Sequence, residues 1–137
     1  MFSKIMIPVD LAHQARMDKA LSVAADLAKR YEAEAHMVGV TMSMPSKVAP
    51  SPEAFAEKLA AYAAEQSAAR GTTIVPHAER SLDLPVDLDD VLARTAQKIG
   101  ADLIVMASHV PGLTEHLFAS NAGYLASHAT MSVLVVR

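Results

Sequence analysis

Short apolar runs alternate along this chain with longer stretches whose apolar residues recur at every third or fourth position, and this alternation narrows the open folds more than any single motif. Residues 2–7 are apolar, rich in β-forming side chains and stopped by Pro8, as expected of a strand buried on both faces. Over residues 14–31 the positions Leu21, Ala24, Leu27, Ala28 and Tyr31 form one core-facing stripe of a helix. Residues 35–42 return to strand character, weakened locally by Gly39, and the Pro- and Ser-rich segment 43–52 reads as a surface loop. Pro52-Glu53 begins a second helix, with Phe55, Leu59 and Tyr62 on one face, and Gly71 ends it. Residues 72–78 form a third strand, made edge-like by Pro76. After a turn from Asp83 to Pro85, Leu88, Leu92, Thr95 and Ile99 stripe a third helix that Gly100 stops. Residues 101–107, 121–128 and 133–136 then read as strand, helix and strand.

Such alternation predicts an α/β fold: a parallel sheet between two helical layers, because each crossover is right-handed and carries a helix back over the sheet. At 137 residues and 52% hydrophobic, the chain suffices for one core and is too short for two ordinary domains, so residues 1–137 are read as a single three-layer domain. Sheets of this kind bind ligands outside the carboxyl ends of their strands, where strand order reverses. The formal net charge of −3, with basic residues scattered, excludes the electrostatic footprint of a nucleic-acid or anionic-membrane binder and favours a small diffusible ligand. With no cysteine there is no disulfide framework, thiolate nucleophile or cysteine metal site. The N-terminus lacks a cleavage motif and no run approaches the roughly 20 apolar residues of a membrane span, so a cytoplasmic location is expected.

The last third has the outline of a phosphate site. A strand ending at Met106 runs into Ala107-Ser108-His109-Val110-Pro111-Gly112, and Ser120-Asn121 opens a helix. A strand end and a helix N-terminus together gather free backbone N–H groups where the macrodipole favours an anion. Ser120 and Asn121 are equally what a helix cap requires without any ligand. His109 could donate to a phosphate or be a solvated loop residue. Asp10, after the first strand, either accepts hydrogen bonds from a ligand or caps the next segment. Residues 108–119 make a long strand-to-helix connection, which either lines a site or carries a short helix packed on the sheet edge or a partner. Glu115 and His116 diverge on a helix, so no metal is expected. The methionines read as adaptable core filler, except Met42 and Met44, which could wall a flat ligand.

These features resemble the universal stress protein family across nearly the whole chain. The resemblance rests on Lys4-Ile5-Met6-Ile7-Pro8-Val9-Asp10, Gly100-Ala101-Asp102-Leu103-Ile104-Val105-Met106, Ser120, and the ending Ser132-Val133-Leu134-Val135-Val136-Arg137. It implies a five-stranded parallel sheet of order 3-2-1-4-5, as in adenine nucleotide alpha hydrolase-like folds. It further implies homodimers paired through the strand from Val133 to Val136 and, in one branch, ATP binding. That branch carries Gly-x-x-Gly, nine residues, then Gly followed by Ser or Thr. Here Ala107, Val110 and Ala119 stand at or near the three glycines, and Ser120 alone matches. Pro8, Asp10, Val40 and Met106 match positions that lie near the adenosine in the family. The resulting candidate site is Pro8, Val9, Asp10, Val40, Met106, Ala107, Ser108, His109, Gly112, Ser120 and Asn121, with Gly112 and the Ser120-Asn121 pair able to form a differently shaped cradle. A Cβ where backbone must approach a phosphate obstructs it, and residues 108–121 contain no Lys or Arg to stabilise transferring phosphate charge. The expectation is a dimeric, non-catalytic binding or regulatory protein of the stress response. Its adenine-nucleotide pocket is altered; the alternative is an ATP-binding switch with slow hydrolysis. A phospho-acceptor domain is set aside because Asp10 is a lone acid after the first strand.

Overall fold

The architecture follows from a central strand whose two sides are treated differently. The structure, a computed structural model, describes residues 1–108 and 119–137. Strand β1 (Lys4–Val9) leads through a 3₁₀ segment (Leu11–Met17) into α1 (Asp18–Tyr31), followed by β2 (Glu34–Met42), α2 (Pro52–Arg70), β3 (Ile74–Ser81), α3 (Leu84–Ile99), β4 (Leu103–Ala107), α4 (Ala119–His128) and β5 (Ser132–Val136). The five strands form one parallel sheet in the order β3-β2-β1-β4-β5, as the resemblance implied.

Alternation along each strand divides the core into two layers. Ile5, Ile7 and Val9, with Leu103, Val105 and Ala107, pack against Leu21, Ala24, Phe55 and Leu59 of α1 and α2. Met6, Val38, Ile104 and Met106 pack on the other face against Leu88, Leu92 and Leu125 of α3 and α4. Among the described residues no helix is long and apolar enough to cross a membrane.

Pro8 does not stop the first strand; β1 runs through it to Val9. The reason lies in which way its missing donor would point. Ser3 accepts from the Glu34 amide on the β2 side and Lys4 from the Asp102 amide on the β4 side, so odd residues of β1 face β2 and even residues face β4. Pro8 therefore lacks its N–H on the β4 side, where registered pairing ends at Met6↔Ile104, while pairing with β2 continues to Val9↔Gly39. At the opposite end the same seam is fastened. The Asp102 carboxylate accepts from the Ser3 amide (2.8 Å), the Ser3 hydroxyl (2.9 Å) and the Lys4 amide (3.1 Å). Partial burial raises the Asp102 pKa, but these donors outweigh it and hold the carboxyl below its usual range.

Other boundaries shift for local reasons. The first helical region starts at Leu11 as 3₁₀ and becomes α-helical only at Asp18, with non-helical torsions at His13 (φ −135°, ψ 50°) marking the break. Strand β3 runs to Ser81 rather than to residue 78, and as an edge strand it tolerates Pro76. Segment 43–52 is more than a surface loop: the Ser46 hydroxyl accepts from the Val48 and Ala49 amides, both at 3.2 Å, and Ala49 is buried.

Gly39 weakens no strand; it makes room. A Cβ built there would lie 3.0 Å from Phe55 Cζ and 3.1 Å from Leu59 Cδ1. Gly39→Ala is expected to lower stability by about 1 kcal/mol, overpacking against α2 outweighing the entropy gained from removing a glycine. Urea unfolding checks this, and combining it with Phe55→Leu should recover part of the loss; strict additivity of the two changes would show that the contact is not the cause.

Candidate functional site

Because β2 continues three residues beyond the last β1 partner, Gly39, its end overhangs the end of β1, and the space beneath is not filled by backbone. A cavity of about 190 Å³ occupies that rim. Pro8, Val9 and Asp10 form one side, Val38, Val40 and Met42 another, and Met44, Pro45, Ser46 and Val48 of the following segment close over it. Phe55 reaches it from α2, and Leu88 and Leu92 from α3, so it wraps the sheet edge between the two helical layers. Its walls are mostly aliphatic, with polar atoms from Asp10, Thr41 and Ser46. Such a slot suits a flat, largely apolar ring with a few polar atoms at one edge.

Asp10 stands at the mouth with its carboxylate already engaged. One oxygen accepts from the Ala12 amide at 3.0 Å and caps the 3₁₀ segment; the other lies 2.7 Å from His13 Nδ1. The capping alternative is thus realised. Each oxygen retains lone-pair capacity, and a quarter of the side chain is exposed (25%), so it remains able to accept from a ligand.

Of the candidate residues, Pro8, Val9, Asp10 and Val40 meet in this cavity. The three at the end of β4 stand apart from its described lining. Met106 is fully buried in the α3-side core, and Ala107, 5% exposed, packs in the α1-side core. The Ser108 amide donates to the Val136 carbonyl at 2.7 Å and so extends the β4–β5 ladder. A strand-end donor expected to be free is therefore already bonded. Ser120 and Asn121 lie inside α4, within the first turn of its described length. His109 and Gly112 lie outside the described residues, as does the proposed short helix between residues 108 and 119. Met42 and Met44 do wall the cavity. Among the described residues no group of three or more His, Asp or Glu side chains is placed to hold a metal ion.

Sequence reasoning missed Phe55, Val48, Leu88 and Leu92 as lining residues. The first, third and fourth were read only as core stripe residues, which they also are. Val48 had a weak signal: it stands two positions after Ser46, whose hydroxyl can accept from amides two and three residues on and turn the loop inward.

The double engagement of Asp10 makes a separable prediction. Asp10→Ala loses the cap and is expected to cost about 1 kcal/mol, whereas Asp10→Asn keeps an accepting oxygen for Ala12 and loses only a partly exposed pair worth well under that. Urea midpoints of the two variants check this; equal losses would assign the stabilisation to the His13 pair.

Comparison with known proteins agrees along the full length. The chain matches the universal stress protein family over residues 1–137. It is 30% identical over 148 residues to universal stress protein G of Salmonella typhimurium, covering 100% of both chains. Among solved structures, a universal stress protein from Archaeoglobus fulgidus superposes with a TM-score of 0.73 at 19% identity, covering 100% of each chain. A universal stress protein in complex with cAMP gives 0.71 at 16% identity, covering 99% of this chain and 97% of that one. The Archaeoglobus fulgidus universal stress protein in complex with dAMP gives 0.67 at 19% identity, with 98% of each covered. These structural likenesses establish the fold, and the sequence matches establish the membership: the chain belongs to the universal stress protein family.

Proposed function

We propose that this protein is a non-catalytic, dimeric regulatory protein of the stress response whose rim cavity takes the adenosine part of an adenine nucleotide, and whose phosphate cradle at the end of β4 is altered so that a triphosphate adds nothing beyond what a monophosphate contributes. The observation that carries the reading is the split at the sheet rim. Pro8, Val9, Asp10 and Val40 surround an open slot, while the neighbouring Ser108 amide is spent on Val136. Bound anions at such a rim depend on backbone N–H groups that have no internal partner, and one fewer is available here. Similar folds in complex with cAMP and dAMP support an adenine ligand at this family's sheet.

A non-catalytic role is supported by the absence of Lys and Arg from residues 108–121, since phosphoryl transfer needs cationic groups to stabilise charge as it develops. Dimerisation is supported by β5, an edge strand on which Leu134 (37% exposed) and Val135 (40% exposed) face solvent. An apolar edge of that kind templates pairing unless it is covered.

Calorimetric titration with adenosine, AMP and Mg·ATP tests the site. Adenosine and AMP are expected to bind, ATP no tighter than AMP, with no phosphate release above background. ATP held more than about tenfold tighter than AMP, or turned over, would establish the nucleotide switch instead. The joint variant Ala107→Gly/Ala119→Gly is expected to raise ATP affinity if missing glycines are the obstacle; its Ala107 change should also cost about 1–2 kcal/mol of stability, because that methyl is in the core. In sedimentation, the wild type should run as a dimer and Val135→Lys as a monomer; a monomeric wild type would overturn pairing through β5.

A further inference from the structure

Beside the rim cavity lies a second, wider and more polar one, about 780 Å³, between the 3₁₀ segment and α2. The two share Leu11 and Val48 as a common wall. Two contacts tie the chemistry of one to the other across that wall. Asp10 lines the first cavity and is bonded at 2.7 Å to His13, which lines the second. Lys58, which lines the second, donates to the carbonyl of Val48 and is thereby held at the boundary. Lys47 adds another ammonium to this groove, and Glu65 is the carboxylate among its described lining residues. Tyr62 also lines it, its pKa pushed up chiefly by burial, against the lowering influence of Arg70.

We propose that this groove takes the phosphate of a phosphorylated adenine nucleoside whose base and sugar occupy the rim cavity; the proposal rests on the adenosine reading given above. An ammonium offers three donors, and Lys58 uses one of them on Val48, which leaves it able to donate to an anion while staying anchored. Two lysines, Lys47 and Lys58, against the single carboxylate of Glu65 give the groove a positive balance. Toward β4, by contrast, the Ser108 amide is taken, and residues 108–121 contain no Lys or Arg. The two lysines direct a phosphate to the α2 side.

Titration of adenosine and AMP against the full chain at low salt tests the assignment. The wild type is expected to hold AMP about tenfold tighter than adenosine, a preference that shrinks as salt rises. In Lys47→Met/Lys58→Met the preference, read as the ratio of the AMP and adenosine affinities of the same variant, should vanish, and Lys98→Met, on α3 at the other face of the sheet, should behave as wild type. Because Lys58 also fastens the loop through Val48, Lys47→Met alone gives an independent readout: weaker AMP binding with adenosine unchanged. An AMP preference retained by the double variant, or no preference in the wild type, overturns the groove assignment and leaves the rim cavity standing. Failure of adenosine itself to bind overturns the cavity reading, and the groove assignment with it.

Discussion

The middle of the sheet is organised by a seam between β1 and β4 that is closed at one end and left open at the other. Asp102 gathers three donors from Ser3 and Lys4 and locks the two strands where they begin. Four residues after Lys4, Pro8 presents no donor toward β4, and registered pairing has already ceased at Met6. A proline in a central strand removes a ladder bond and is for that reason found at strand starts, edges and bulges. Here the loss falls where the ladder is finished, so the fold tolerates it and gains a rim at which strand ends separate. Pairing with β2 is unaffected, since Ile7 and Val9 direct their amides the other way. The cavity lies on the β2 side of this rim, under the overhanging end of β2, with Pro8 among its walls and no residue of β4 in its described lining.

At the end of β4 the fold and a phosphate site compete for the same groups. An amide that completes a ladder bond is worth about 1 kcal/mol to the chain, and displacing it to serve an anion forfeits that contribution. Ser108 bonds to Val136, and this bond also steadies the last residues of β5. Ala107 adds a methyl to the core on the same strand end. A strand end organised this way strengthens the β4–β5 half of the sheet, and with it the exposed edge through which a second copy would pair. Ligand affinity and edge stability are thus opposed at two consecutive residues.

Most of the architecture was legible because it is written in periodicity. The apolar stripes at Leu21 and Ala24, at Phe55 and Leu59, and at Leu88 and Leu92 are the ones that pack on the sheet. Glycines after the second and third helices end them in left-handed conformations, Gly71 at φ 64° and Gly100 at φ 77°. Strand boundaries were less legible, because a strand end is set by its neighbours: nothing in the order of residues around Pro8 says which neighbour its missing donor faces. Half of the site was readable in the same sense. Asp10 follows from where the first strand ends in a parallel sheet, and Pro8 and Val40 from the family resemblance, whereas Lys47 and Lys58 sit in a loop and on a helix flank and become neighbours of that rim only after segment 43–52 folds inward on Ser46.

The glycines that remain and the glycines that are missing obey one rule. Gly39 is retained because Phe55 and Leu59 of α2 approach its backbone within about 3 Å of where a Cβ would stand, a demand the chain makes on itself. Ala107 and Ala119 occupy positions where, in the ATP-binding pattern this chain resembles, glycine serves the ligand's phosphates rather than the packing. A substitution there leaves the sheet intact, and at Ala107 it improves the core. The rim cavity borders a groove on the α2 side where Lys58 is anchored to the Val48 carbonyl, and under the proposal above that groove is where a nucleotide's charged end meets its counter-charge.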